Sequence, residues 1–364
     1  MSAAVAPDDI VLTHADVAPD AREPLLVLEP LAAFLDEHGI GSGEIRAQPI
    51  GDGHSNVTYL IERESAEVVL RRPPRGPLPP SAHDVLREAR LLRALQSTAA
   101  RVPKVLAVGD NETVIGCPFF VMERVPGEVI VWQTPPTLDT PEQRRRIGEE
   151  LIDALVEIHA VDWRAAGLEG FGKPTGYLER QLRRFGGLWE HNRTRELPEM
   201  ERVARWLGEN LPDPDPPTPA TIVHGDYRVG NTIFASQPPA HLMAVLDWEM
   251  ATIGDPLADI GYMCMFWTEA DDPAEGLRAA LGNVTRAEGY PTRAELIARY
   301  EDASKRSMTD LRWYVTLALW KSAVFMEGNY KRAITGSTDD PYLKAFGEGV
   351  VQLARQAEEV ARGA

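Results

Sequence analysis

The sequence predicts an α+β chain of two lobes, the first rich in strand and the second mostly helical, and three observations carry that prediction. β-Rich runs crowd the first third of the chain, at Gln48–Leu60, Val68–Arg71, Val102–Val108 and Pro118–Glu123, with one amphipathic helix among them. Segments of helical spacing or length then follow one another to the C-terminus. One β-rich island, Thr221–Leu246, interrupts those helices and carries a dense set of polar residues. The expected organisation is a mobile tail over residues 1–25, an N-lobe over 26–124 and a C-lobe over 125–364.

The elements follow in order. A short helical segment at Leu31–His38 precedes Gln48–Leu60, which reads as a strand, a glycine turn (Gly51-Asp-Gly-His-Ser-Asn56) and a second strand. Val68-Val-Leu-Arg71 is a further strand, and the proline-dense run to Pro80 after it must be a loop. Ser81 with Asp84 three residues on resembles a capping box, and Val85, Ala89, Leu92 and Leu95 mark one helical face. Phe119-Phe-Val-Met-Glu-Arg-Val-Pro-Gly127 ends the sheet-rich part and turns at Pro126-Gly127, where a hinge belongs. Helices are expected at Glu142–His159, Tyr177–His191, Pro198–Leu207, Pro256–Trp267, Arg293–Ser304, Leu311–Gly328 and Leu343–Arg362.

Composition narrows the function classes. The 364 residues are 44% hydrophobic, enough for a sizeable core. A net charge of -17 argues against a nucleic-acid or anionic-membrane surface. Cys117 and Cys264 can build neither a four-ligand zinc site nor a disulfide framework, which fits a reducing cytoplasm. The N-terminal segment lacks a basic stretch followed by an apolar one, so it does not read as a signal peptide. Trp313–Met326 is apolar but short and interrupted by Lys321, and reads as a buried helix rather than a membrane span. Oligomeric state is not legible.

The strongest chemical signal is Ile222-Val-His-Gly-Asp-Tyr-Arg-Val-Gly-Asn231 followed by Ala244-Val-Leu-Asp-Trp-Glu249. Phosphoryl transfer from ATP needs a carboxylate to orient the attacking hydroxyl and accept its proton, and hard oxygen ligands to hold Mg²⁺ on the phosphates. Asp226 suits the first task, and Asn231 and Asp247 suit the second. At roughly one in twenty per specified residue, His-Gly-Asp-x₄-Asn arises by chance in about one chain in 500 of this length. Turn-forming Asp and Asn between strands are the bland alternative, and the coincidence argues against it. His224 is expected to orient the loop by hydrogen bonding, and Asp259 to brace it. Asp255 and Pro256 open a helix, as cap and first residue.

A second constellation concerns the nucleotide. Gly51, Gly53, Ser55 and Asn56 form a turn whose backbone N–H groups could approach phosphate oxygens. Arg71 ends the next strand, with Arg72 beside it. At about 100° per residue, Glu88 falls between Leu92 and Leu95 on the apolar stripe of its helix, and a carboxylate there needs a cation. Backbone groups of Glu123 and Val125 are placed to read an adenine edge. Trp267, Trp313 and Trp320 could wall an acceptor pocket, although aromatic residues on helices more often pack in a core.

Together these residues resemble the aminoglycoside phosphotransferase and choline kinase group from roughly Leu31 to Trp267. More narrowly, Leu70-Arg-Arg-Pro-Pro74, Pro80-Ser-Ala-His83, Val156-Glu-Ile-His-Ala-Val-Asp162 and Asp247–Asp259 resemble the kinase-like domains associated with acyl-CoA dehydrogenases and their free-standing bacterial relatives. The resemblance implies a protein-kinase-like two-lobed fold, ATP and Mg²⁺ as cofactors, Asp226 as base, Asn231 and Asp247 on metal, and Glu88 pairing the phosphate-binding cation. It implies a small-molecule hydroxyl as acceptor, with a hydroxy acid or hydroxyacyl thioester favoured over an aminoglycoside; a regulatory pseudokinase is the third reading. Two departures stand out. Arginine occupies the usual strand-lysine position, and Asp247 is followed by Trp-Glu.

Overall fold

Val57–Arg63 and Ala66–Arg72 are dense in β-branched and aromatic side chains, which suit a pleated, half-buried surface. In the computed structural model they pair as a two-residue hairpin in the middle of an antiparallel sheet. The structure describes residues 9–17, 22–51, 56–76, 83–213, 219–272, 283–336 and 341–363. The chain divides into two units, Met1–Pro126 and Gly127–Ala364.

In the first unit β1 (Ile10–Val11), which the sequence reading assigned to the tail, pairs in parallel with β2 (Leu26–Val27). Helix α1 (Leu28–Glu37) follows. The main sheet runs in the order β3-β4-β5-β7-β6, with β3 at Arg46–Pro49, β4 at Val57–Arg63, β5 at Ala66–Arg72, β6 at Val105–Gly109 and β7 at Phe119–Glu123. Alternation along β5 sends Val68 and Leu70 into a core with Leu31, Leu35, Tyr59 and Phe119. Arg71 therefore faces the opposite side.

Helix α2 (Val85–Leu95) starts one turn later than the Ser81 capping box predicts. Asp84 is itself the cap, its Oδ1 accepting the Arg87 N–H at 2.9 Å, and Ser81 lies outside the described residues. A side chain that accepts from the third residue on satisfies a first-turn donor, which is what a cap requires.

In the second unit β8 (Glu128–Val129), β10 (Thr232–Phe234) and β11 (Leu242–Val245) form a small sheet in the order β11-β10-β8. Strands β9 (Thr221–Val223) and β12 (Thr252–Gly254) form a separate antiparallel pair. Around them pack α3 (Pro141–His159), α4 (Tyr177–Asn192), α5 (Pro198–Glu209), α6 (Leu257–Phe266), α7 (Arg293–Ser304), α8 (Leu311–Ile334) and α9 (Pro341–Arg362). Helix α8 is central, packing against α9, α6, α4 and α5.

Trp313 and Trp320 of α8 are core residues, 3% and 2% exposed, and their indole N–H groups donate to the Leu207 and Met200 carbonyls. Trp267 is equally buried and donates to Pro291 O. None of the three is a pocket wall: large rings bury best where the one polar atom finds a carbonyl, and each does. Among the described residues no helix is long and apolar enough to cross a membrane.

Candidate active site

Two hairpin-like pairings hold two loops side by side. Residues 224–231 leave β9 and run into β10, and residues 246–251 leave β11 and run into β12; β9 pairs with β12 and β10 with β11. The loops are joined at Leu246, whose N–H donates to Asn231 O at 2.8 Å and whose carbonyl accepts from His224 Nε2 at 2.9 Å. Asp247 follows directly, in the left-handed region at φ 64°. A non-glycine residue pays about 1–2 kcal/mol to sit there, so the surroundings hold it in place.

Within the first loop, Asn231 fastens Asp226. Its Nδ2 donates at 2.8 Å to both the Asp226 backbone carbonyl and Asp226 Oδ2. Both partners are acceptors, which fixes the amide orientation and turns Asn231 Oδ1 away from them. Asp226 Oδ1 makes no hydrogen bond among the described residues; Arg228 Nε is 3.5 Å from it. The carboxylate is therefore fastened through Oδ2, while Oδ1 is covered from solvent and faces Arg228. Tyr262 of α6 presents its phenol to the same carboxylate, and burial first, then the Asp226 charge, hold that phenol well above its ordinary value.

His224 is tied into the loop through both ring nitrogens. Its Nδ1 accepts the Asp226 N–H at 3.2 Å, so the ring proton is on Nε2, which donates to Leu246. Its ring lies against Trp248 at 4.6 Å between centroids. Gly225 has φ 88°, and a Cβ there would meet the Met250 carbonyl at 2.9 Å, so the turn requires glycine.

Beneath the loop, Asp259 is fully buried and accepts three bonds: His224 N at 2.7 Å, Gly225 N at 2.8 Å and His159 Nε2 at 3.1 Å. His159 Nδ1 lies 2.7 Å from Tyr300 Oη. Burial, ahead of the Asp259 contact, holds His159 below the usual histidine value, so it is neutral and Tyr300 donates to it. Asp255 accepts the Leu257 N–H at 3.0 Å and bonds the Tyr314 hydroxyl at 2.6 Å, but α6 begins at Leu257 with Pro256 in the cap position, one residue later than the sequence reading has it.

In the first unit Arg71 Nε lies 3.0 Å from Glu88 Oε2, with side chains 11% and 2% exposed. Arg72 points the other way, its guanidinium on the Pro73 and Leu25 carbonyls. Gly51 has φ 79°, as a tight turn allows, and Asn56 is buried; Gly53 and Ser55 lie outside the described residues. The Glu123 carboxylate accepts the Lys104 N–H at 3.0 Å and the Glu123 N–H donates to the Lys104 carbonyl at 2.9 Å, so both fix the strand. Val125 is half-buried.

Sequence reasoning gathered Asp226, Asn231, Asp247, His224 and Asp259 but gave no role to His159, Tyr300 and Arg228. Arg228, between Asp226 and Asn231, was within reach of a sequence argument. The others join the site only through helix packing.

A model of the phosphotransferase enzyme family matches residues 46–296. Acyl-CoA dehydrogenase family member 10 of Mus musculus is 34% identical over 336 residues, 91% of this chain and 30% of that protein. Acyl-CoA dehydrogenase family member 11 of Rattus norvegicus is 30% identical over 362 residues, 96% of this chain and 45% of that protein. The chain thus spans less than half the length of these relatives. A Ralstonia eutropha structure solved as a candidate aminoglycoside phosphotransferase is 30% identical, covers 92% of this chain and 98% of its own, and superposes with a TM-score of 0.77. An aminoglycoside phosphotransferase solved with AMP-PNP and hygromycin B shares the fold at 15% identity and a TM-score of 0.59.

Proposed function

The chain belongs to the phosphotransferase enzyme family, and from that premise we propose that it transfers the γ-phosphoryl group of ATP, with Mg²⁺, to a hydroxyl of a small molecule. The observation that carries the reading is the asymmetric hold on Asp226: Oδ2 is fastened by Asn231, while Oδ1 carries no hydrogen bond and lies 3.5 Å from Arg228 Nε. In this reading the Asp226 carboxylate takes the hydroxyl proton as the acceptor oxygen attacks, and the Asn231 clamp keeps the carboxylate aimed. His224, whose Nδ1 accepts the Asp226 N–H, keeps the Asp226 backbone in register.

The donor set fits Mg²⁺. Asn231 Oδ1 and the Asp247 carboxylate are hard oxygens, and two protein ligands suit an ion that keeps several waters and shares the phosphates. When bound, Mg²⁺ supplies charge neutralisation on the β- and γ-phosphates. Arg71, oriented by Glu88, is the proposed cation for the α- and β-phosphates. The backbone of Gly51, Gly53, Ser55 and Asn56 would cradle phosphate oxygens, and backbone groups of Glu123 and Val125 would read the adenine.

For the acceptor we favour a hydroxy acid or its acyl thioester. The two relatives named above are called acyl-CoA dehydrogenases, which points to acyl chemistry nearby, although the chain matches only part of each. The likeness to the Ralstonia eutropha structure favours the second reading, an aminoglycoside acceptor. Incubation of purified protein with Mg²⁺-ATP and, separately, hydroxy acids, hydroxyacyl thioesters, amino sugars and choline, read by ADP release, tests both. Turnover confined to amino sugars would overturn the preferred acceptor. No turnover with any hydroxyl compound, with ATP bound, would favour a regulatory nucleotide-binding role.

A further inference from the structure

Two cations of the second unit share one aromatic ring. Lys321 Nζ of α8 lies 4.7 Å from the centroid of Phe185 on α4, and the Arg184 guanidinium lies 5.9 Å from it. Phe185 is 1% exposed, so the ring is a fixed platform. Lys321 is half-buried and Arg184 is exposed, so one charge lies further in than the other.

Among the described residues neither cation has an ion pair or a hydrogen bond to a carboxylate. The field of Asp259 reaches Lys321, but its oxygens are committed to His224, Gly225 and His159. Two like charges beside one ring repel each other, and an anion bound between them would relieve that repulsion. Burial, then Arg184, push the Lys321 ammonium down to about 8, which is the same strain seen in its proton affinity.

The surroundings are apolar on one side. Phe325, one turn beyond Lys321 on α8, is 43% exposed and meets the Phe185 ring edge-on at 5.2 Å. A ligand bound here would meet charge at one end and an exposed ring at the other. Helix α8 also packs against α6, which carries Asp259 and the Tyr262 that faces Asp226.

We propose that Lys321 and Arg184, seated on Phe185, form an anion subsite that takes the acidic group of an organic anion while Phe325 takes its apolar segment. The subsite is new to the site built around Asp226, and its assignment to the acceptor rests on the small-molecule phosphotransferase reading above. Its chemistry is shared by a carboxylate and a phosphate ester, and would reject a polycation by like charge.

Calorimetric titration of the full chain with hexanoate, hexyl phosphate and hexanamide tests this without turnover. The two anions are expected to bind and hexanamide not to. Lys321→Met, which keeps the apolar stem, should weaken the better anion by about tenfold or more, the scale of a hydrogen bond to a charged group. Arg184→Gln, at the exposed rim, should weaken it less, and serves alone should Lys321→Met not fold. Equal affinity of wild type and the folded variants, equal binding of hexanamide, or no binding of either anion to wild type would each overturn the subsite. Lys321-dependent binding with no hydroxy acid phosphorylated would uphold the subsite and remove the proposed acceptor. Phosphorylation of hydroxy acids without Lys321-dependent binding would do the reverse.

Discussion

Asn231 and Asp226 are joined twice through a single amide nitrogen, which donates at 2.8 Å to the aspartate backbone carbonyl and at 2.8 Å to Oδ2. The double hold fixes the backbone and the side chain of Asp226 together, so the direction of its remaining oxygen is set by the loop rather than by solvent.

Asp226→Asn is therefore expected to keep ATP affinity near wild type while lowering kcat about 10²–10⁴-fold, the ordinary worth of a general base. Steady-state kinetics with an accepted alcohol and a separate ATP titration check it. Wild-type turnover in this variant would remove Asp226 from the chemistry.

Asp247→Ala should weaken Mg²⁺-dependent ATP binding by at least about tenfold, through loss of an anionic ligand to a hard cation. It should also leave the apo protein unchanged or slightly less stable, because alanine tolerates φ 64° less well than aspartate. Calorimetry with and without Mg²⁺ separates the two effects. Unchanged Mg²⁺-ATP affinity would clear Asp247 of metal binding.

Glu88→Leu leaves the Arg71 guanidinium buried without its carboxylate, and breaking a buried pair from one side typically costs about 3–5 kcal/mol. Arg71→Met together with Glu88→Leu should recover part of that stability in urea unfolding and still bind ATP poorly. A coupling of roughly 0.5–3 kcal/mol is expected from the cycle. Additive effects on both stability and ATP affinity would mean that the 3.0 Å contact has no energetic content.

His159 supplies a pH prediction. Its folded-state value is depressed by burial, so below about 6.5 the unfolded chain takes up a proton that the folded one refuses. The stability it contributes is full above that pH and is lost as pH falls, at up to about 1.4 kcal/mol per unit until the folded value is reached. Urea midpoints should drop from pH 7 to pH 5 in wild type. His159→Gln should start lower at pH 7 and show a shallower slope; parallel slopes would mean that His159 does not titrate in this window.

Much of the site was legible in sequence because its polar residues sit on short loops with fixed spacing. Asp226 and Asn231 are five residues apart, and Glu88 betrays itself by falling on an apolar stripe. What was illegible comes from distant pairing. His159 and Tyr300 meet across 141 residues of chain, and nothing local to either predicts the other. Arg71 and Arg72 could have been told apart by alternation alone, since Leu70 is a core residue and Arg72 must share its side of the strand. The three tryptophans weighed as pocket walls went to the core because each indole found a carbonyl there.

The hairpin between β4 and β5 has a consequence for how related chains can diverge. Arg63 pairs with Ala66 across a two-residue turn, and the same ladder sets Arg71 against Phe120. Deleting one residue with the turn kept at two would turn every β5 side chain to the other side, bringing Arg72 to Glu88 and Arg71 into the apolar core. Length changes at this turn are thus tolerable only where a longer loop or a bulge absorbs them, or in steps of two. Substitutions at Glu64 and Ser65 face no such constraint, so the turn should drift in sequence while holding its length.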